Sequence, residues 1–155
     1  MQSQIPVLIR VARQEDGASI LSMLAELAGW EGAPHAPRLS PSTLDRDVFG
    51  ENPKLHVLVA ENQSRQLVGF ISYHENYSSW EGAVGIHIGD LWVSPTCRGQ
   101  SIGSALLNQV TDSHENRRVD VFVIRDNEAR FFYEHFGFQE QTQWILYRKG
   151  SGCSS

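Results

Sequence analysis

Apolar residues punctuate the chain in two rhythms, one of period two and one near period 3.6, and their alternation sketches the elements. Val7 to Ala12 reads as a short strand. After Asp16, Ile20, Leu21, Leu24, Leu27 and Ala28 recur at helical spacing, and Gly29 is the expected stop. The Pro- and Gly-rich stretch from Glu31 to Leu39 must be loop. Ser40-Pro41 is a cap followed by a first-turn proline, opening a second helix that carries Leu44, Val48 and Phe49.

From His56 the texture becomes that of strands. His56 to Glu61 and Leu67 to Tyr73 are rich in β-branched and aromatic residues, and polar Asn62 to Gln66 forms a hairpin turn between them. A third strand is expected from Ala83 to Val93. Val84, Ile86 and Ile88 share one face, but Leu91 and Val93 have the opposite parity. One extra residue near Gly89-Asp90 restores the register, which is what a β-bulge does; Trp92 fits either parity, so an unbroken strand is the alternative. Ile102, Ala105, Leu106, Gln109 and Val110 then mark the inner face of a helix. A strand at Val119–Ile124, a helix at Glu128–Phe136 and a last strand around Trp144–Tyr147 complete a mixed α/β sheet with helices on both faces.

Composition narrows the class without naming it. The 155 residues, 41% hydrophobic and 20% charged, suit one globular domain. A net charge of −5 speaks against nucleic acid or an anionic membrane as the main partner, since both demand a basic surface. Met1 to Arg13 has no apolar run of signal-peptide length, and no stretch of about 18 apolar residues occurs, so a cytoplasmic location is expected. Cys97 and Cys153 lie far apart and form neither a disulfide framework nor a zinc site. The six histidines lack ligand spacing, so no metal is expected.

Two segments carry chemistry. Val93 to Ser104 runs from a strand end through Arg98-Gly99-Gln100-Ser101-Ile102-Gly103 into a helix. Small residues there let backbone N–H groups approach a phosphate at the positive end of the helix dipole, and Arg98 adds a permanent cation. A plain glycine turn before an amphipathic helix is the alternative. The second segment, Asn127 to Phe138, is a short helix with an aromatic face ended by Gly137.

In this order and spacing the two segments resemble the GNAT acetyltransferase superfamily. Arg98 to Gly103 is similar to its pyrophosphate loop, and Phe132-Tyr133 through Gly137-Phe138 to its aromatic signature. Ile9-Arg10, Asp16, Glu26-Leu27-Ala28, Phe49-Gly50-Glu51, Leu58 to Glu61, Val68 to Phe70, Trp80, Gly82 and Asp90 extend the likeness to the spermidine/spermine and thialysine acetyltransferase branch. The resemblance implies a single, mostly antiparallel GNAT domain over residues 5–149, with 150–155 as a disordered tail. It also implies acetyl-CoA as cosubstrate, a homodimer, and acetyl transfer to a primary amine of a diamine, polyamine or amino acid-like molecule. Tyr133 then stands where the family has the general acid that returns a proton to the CoA sulfur. A phenol titrating near about 10 can protonate a thiolate whose thiol titrates near about 8.5. Leu91, Trp92 and Val93 would pair with the pantetheine arm; Arg98 to Ser104 and Asn127 complete the cofactor site, although Asp126 fits the asparagine's place nearly as well.

A base must drain the ammonium proton, and Glu31 and Asp90 are the acidic candidates. Trp30 and Trp80 are candidate aromatic walls for the amine, with core packing as the alternative for each, and His87 is the histidine nearest the expected site. Three departures from the branch bear on the site, the first on CoA and the other two on substrate. Ser101 stands for the loop's middle glycine, Gly89 for a glutamate beside Asp90, and Ser78 for an aspartate. With two anionic positions gone, a smaller amine with one positive end is favoured over a polycation. A protein or peptide N-acetyltransferase and a non-catalytic acetyl-CoA sensor are the competing readings.

Overall fold

The computed structural model describes residues 6–151, so Cys153 and most of the tail expected at 150–155 lie outside the described residues. The chain divides into two compact units, one running to Phe122 and a smaller one beginning at Val123.

The larger unit is built on a sheet of order β1-β2-β3-β4-β5. β1 (Val7–Val11), β2 (His56–Asn62), β3 (Leu67–Ser78) and β4 (Ala83–Val93) follow one another antiparallel. β5 (Val119–Val121) lies parallel to β4, which requires a crossover; α3 (Ile102–Ser113) supplies it. Helices α1 (Gly17–Glu31) and α2 (Pro41–Asp47) connect β1 to β2.

Local chemistry explains the joints. The Asn62 side chain accepts from the Ser64 and Gln66 amides, clamping the β2–β3 turn. Ser40 and Thr43 cap each other reciprocally at the start of α2, with Pro41 in its first turn. α1 does not stop at Gly29. It continues to Glu31 and ends at Gly32, whose φ of 65° is the left-handed conformation that suits a residue without Cβ.

The sheet's two faces follow from strand parity. On one face Ile20, Met23 and Leu27 of α1 pack against Val57, Val59, Phe70 and Trp92. On the other lie Leu58, Ile71, Ile86 and Ile88, of the opposite parity, and the fully buried Leu106, Leu107 and Val110 of α3. Gly69 marks how tightly that layer fits: a Cβ there would meet Trp92 O at 2.8 Å and Leu106 Cδ1 at 3.4 Å. Each such aliphatic side chain taken out of water is worth about 1.5–3 kcal/mol, so the two layers carry the unit's stability. Leu107, not Gln109, completes the inner face of α3, and Gln109 is exposed.

The expected bulge is present. Ser72 pairs with Asp90, but the next β3 residue, Tyr73, pairs with Ile88, leaving Gly89 as the extra residue of β4. β5 pairs only with Ile86, His87 and Ile88. Past Ile88, therefore, β4 has β3 on one edge and, among the described residues, no strand on the other.

In the smaller unit, α4 (Ala129–His135) forms and the chain turns at Gly137, φ 88°. No strand forms at Trp144–Tyr147. Trp144, Ile145, Leu146 and Tyr147 are 58–88% exposed, so the apolar pattern there has no ladder to join.

Candidate active site

Asp90 is the first residue that the bulge turns toward the α1 face. The buried Ser72 hydroxyl, opposite it on β3, donates to Asp90 Oδ2 at 2.5 Å. Gly89 faces the same way, for a Cβ at that position would sit 3.1 Å from Ser72 Oγ. A side chain at that position would crowd the Ser72–Asp90 pair.

A cavity of about 370 Å³ opens over Asp90. Glu31, at the end of α1, shares it, together with the apolar Leu24, Leu27 and Leu55 and with His35 and Arg38 from the following loop. Burial, and then the charge of Asp90, push the Glu31 carboxyl above the usual glutamate range. Two carboxylates in a half-apolar cavity suit a cation that brings an alkyl stem. A larger cleft of about 930 Å³ runs past Arg10, Asp16 and Glu61 to Ser94 and Cys97. Those carboxylates are already bound to Arg10, so the smaller cavity is the candidate amine site.

The loop from β4 into α3 has the features of an anion cradle. Gly99 and Ser101 both have left-handed backbones, φ 77° and 64°, and no atom lies within 4 Å of where a Gly99 Cβ would be. Ser101 is the residue before the helix, yet its side chain caps nothing. The first-turn amides of Ile102, Gly103 and Ser104 therefore have neither an intrahelical acceptor nor a side-chain cap, while Ile102 anchors the turn in the core. Residues 98–104 thus fit a pyrophosphate through backbone donors. Arg98 also braces the loop. Its Nε donates to Val93 O at 3.0 Å, and its guanidinium lies 4.3 Å from the Trp30 ring centroid and 4.6 Å from that of Trp92.

Leu91, Trp92 and Val93 occupy the stretch of β4 whose second edge no strand covers. Trp92 is 96% buried, edge-on to Trp30, and its Nε1 has no hydrogen-bond partner among the described residues. Trp80 does not wall the cavity: it is 92% exposed in the β3–β4 turn. In the smaller unit Tyr133 is the buried residue of α4, in edge contact with Phe132 and Phe138. The Asn127 side chain accepts from the Ala129 amide at 2.8 Å, fixing the start of that helix.

His87 does not stand alone. His74, opposite it on β3, places its ring 5.0 Å away, and Phe122 lies 4.8 Å away on the other side. His74 was legible only through pairing: once Ser78 faces Ala83 across the hairpin, His74 must face His87.

Comparison with known proteins identifies the family. Residues 53–140 match the family model of the acetyltransferase (GNAT) domain. The chain belongs to the GNAT acetyltransferase family and is an N-acetyltransferase, an enzyme class whose cosubstrate is acetyl-CoA. It is 40% identical over 156 residues to the thialysine N-epsilon-acetyltransferase of Sus scrofa, covering 92% of this chain and 91% of that one. The Mus musculus protein of the same name is 33% identical over 154 residues, with 90% of each chain covered. A solved structure described as a probable acetyltransferase superposes with a TM-score of 0.78, covering 95% of this chain and 99% of that one. At 21% identity, that likeness speaks for the fold alone. Among the described residues no helix is long and apolar enough to cross a membrane.

Proposed function

We propose that this protein acetylates the primary amine of a small molecule by direct transfer in a ternary complex. The observation that carries the reading is the bulge at Gly89. It turns Asp90 into a cavity that Glu31 also lines, where β5 has ended and one edge of β4 is left free.

When bound, acetyl-CoA supplies an acetyl thioester as the electrophile. The free edge at Leu91, Trp92 and Val93 pairs with the amide-bearing pantetheine arm as a strand would. Backbone donors of residues 99–104 hold the pyrophosphate, with Arg98 locking the loop and Asn127 completing the cofactor site. Glu31 and Asp90 draw in the ammonium end of the substrate; Trp30 adjoins Glu31 in the chain, and His87 lies one rung along β4 from Asp90. Tyr133 delivers a proton to the departing sulfur.

The cavity favours a compact amine with one positive end, amino acid-like rather than a long polycation, because Gly89 adds no charge beside Asp90; Ser78 sits at the far end of the β3–β4 hairpin and does not bear on it. The thialysine enzymes among its relatives point the same way. Residues 5–149 then form one catalytic domain, active in the cytoplasm as a homodimer. Thiol release from acetyl-CoA across thialysine, lysine, small amino acids, diamines, spermidine and peptides tests the substrate class. Fastest turnover with a small amino acid-like amine is expected. Preference for peptides would replace this reading with a protein acetyltransferase; bound acetyl-CoA with no release would replace it with a sensor.

A further inference from the structure

Resting on the N-acetyltransferase reading above, we propose that His87 takes the ammonium proton of the substrate amine, directly or through one water, and that His74 passes it to solvent.

The placement comes from strand register. Phe70, Ser72 and His74 alternate on the α1 face of β3, and β4 presents His87, Asp90 and Trp92 to the same side. The hydrogen-bonded Ser72–Asp90 pair and the His74–His87 ring pair are thus successive rungs of one ladder, about 7 Å apart at two residues per step. The only β4 residues between them are Ile88, which points to the α3 face, and Gly89, which has no side chain. Nothing on β4 therefore screens the imidazole pair from the Asp90 carboxylate. One step further along, Asn76 Oδ1 is buried without a donor, so the polar row continues past the histidines.

The chemistry favours imidazole over the two acids. An alkylamine arrives as ammonium, since lysine-like groups titrate near about 10. Asp90 already accepts the Ser72 hydroxyl, and its charge helps to hold the cation rather than to free it. A neutral imidazole, with a reference pKa near about 6.5, is ready to accept a proton at neutral pH. His87 is kept neutral by its surroundings: burial and the neighbouring His74 lower its pKa, against a smaller opposing pull from Asp120. The groups facing it are His74 on β3, Asp90 on β4 and Asp120 on β5, the last paired with Arg118 at 3.3 Å. Phe122, 67% exposed, covers the far side of the ring.

Protons balance as follows. Amide formation removes two protons from the primary ammonium while an N–C bond forms and the C–S bond breaks. One proton ends on sulfur, by way of Tyr133, and the other leaves through His87 and His74.

The test uses the full chain, wild type and the variants H87Q and H74Q. Imidazole resonances are titrated by NMR in the free protein. The pH profile of kcat/KM is then recorded with thialysine or whichever panel amine is turned over fastest. His87 is expected to titrate below free imidazole, with the acidic limb of kcat/KM following its pKa. H87Q should lose at least tenfold in kcat/KM at pH 7, with that limb displaced toward the pKa of the amine itself. H74Q should lose less, and acetyl-CoA affinity by calorimetry should stay within about twofold for both. An active wild type matched by H87Q in rate and pH profile overturns this assignment alone. A folded wild type that turns over no amine overturns the acetyltransferase reading and this proposal with it.

Discussion

The Arg98 guanidinium lies 4.3 Å from the ring centroid of Trp30, joining the loop before α3 to the last turn of α1. Trp92 contributes a second aromatic face at 4.6 Å. Trp30 directly precedes Glu31 in the chain, so the contact ties the anion cradle to the acid of the amine cavity. With Trp30 63% exposed, one such contact is worth about 0.5–1 kcal/mol. Trp30→Ala should therefore weaken acetyl-CoA binding about two- to fivefold by calorimetry. Unchanged affinity would mean that the loop holds its shape without Trp30.

Ser101 holds a left-handed backbone, φ 64°, at a cost of about 1–2 kcal/mol for a residue with a Cβ. Its side chain makes no capping bond to offset that cost. Ser101→Gly should raise stability by about 1 kcal/mol in denaturant unfolding and leave acetyl-CoA affinity equal or better. Weaker cofactor binding in the variant would show that the hydroxyl itself contacts phosphate.

Arg10 bridges Asp16, at 2.7 and 3.0 Å, and Glu61, at 2.6 and 3.0 Å, with all three side chains under 20% exposed. The Arg10 hydrogen bonds hold the Asp16 carboxyl below the usual aspartate range, outweighing its burial. A depressed acid contributes stability above its unfolded pKa of about 3.9, and that contribution is lost as pH falls through the lower folded value. Stability should thus decline with acidification below about pH 4, and less steeply in Asp16→Asn. Arg10→Ala strands the buried Asp16 and the half-buried Glu61 carboxylates and should cost about 3 kcal/mol at pH 7 by urea unfolding.

Tyr133 is buried within an aromatic cluster, so Tyr133→Phe keeps the packing and removes only the hydroxyl. If the phenol protonates sulfur, kcat should drop about a hundredfold, with acetyl-CoA affinity nearly unchanged. A variant with wild-type kcat would remove Tyr133 from the chemistry.

Much of the fold was written in local rules. The parity switch from Ile88 to Leu91 located the bulge, and Ser40-Pro41 announced α2, because both signals act within a few residues. Signals that depend on distant partners failed. Gly29 and Gly32 are equally good stops by composition, but only Gly32 adopts the left-handed backbone that ends a helix. Trp144 to Tyr147 has strand composition, yet a strand exists only where a ladder accepts it. The site divided the same way. Glu31 and Asp90 were named separately, and the cavity brings them together. Arg98 was read as a phosphate ligand, and its guanidinium also lies over two indoles, one of them remote in sequence, which no local pattern announces. His74 stayed hidden because cross-strand pairing, not spacing, sets it beside His87.

The most direct test of amine acetylation is to follow free thiol and N-acetyl product together, from acetyl-CoA and a small primary amine such as thialysine. The two should appear in equal amounts, with initial rates that depend on both substrates in the intersecting pattern of a ternary complex. Thiol without acetylated amine, or parallel rate lines that betray an acetyl-enzyme, would contradict direct transfer to a small amine.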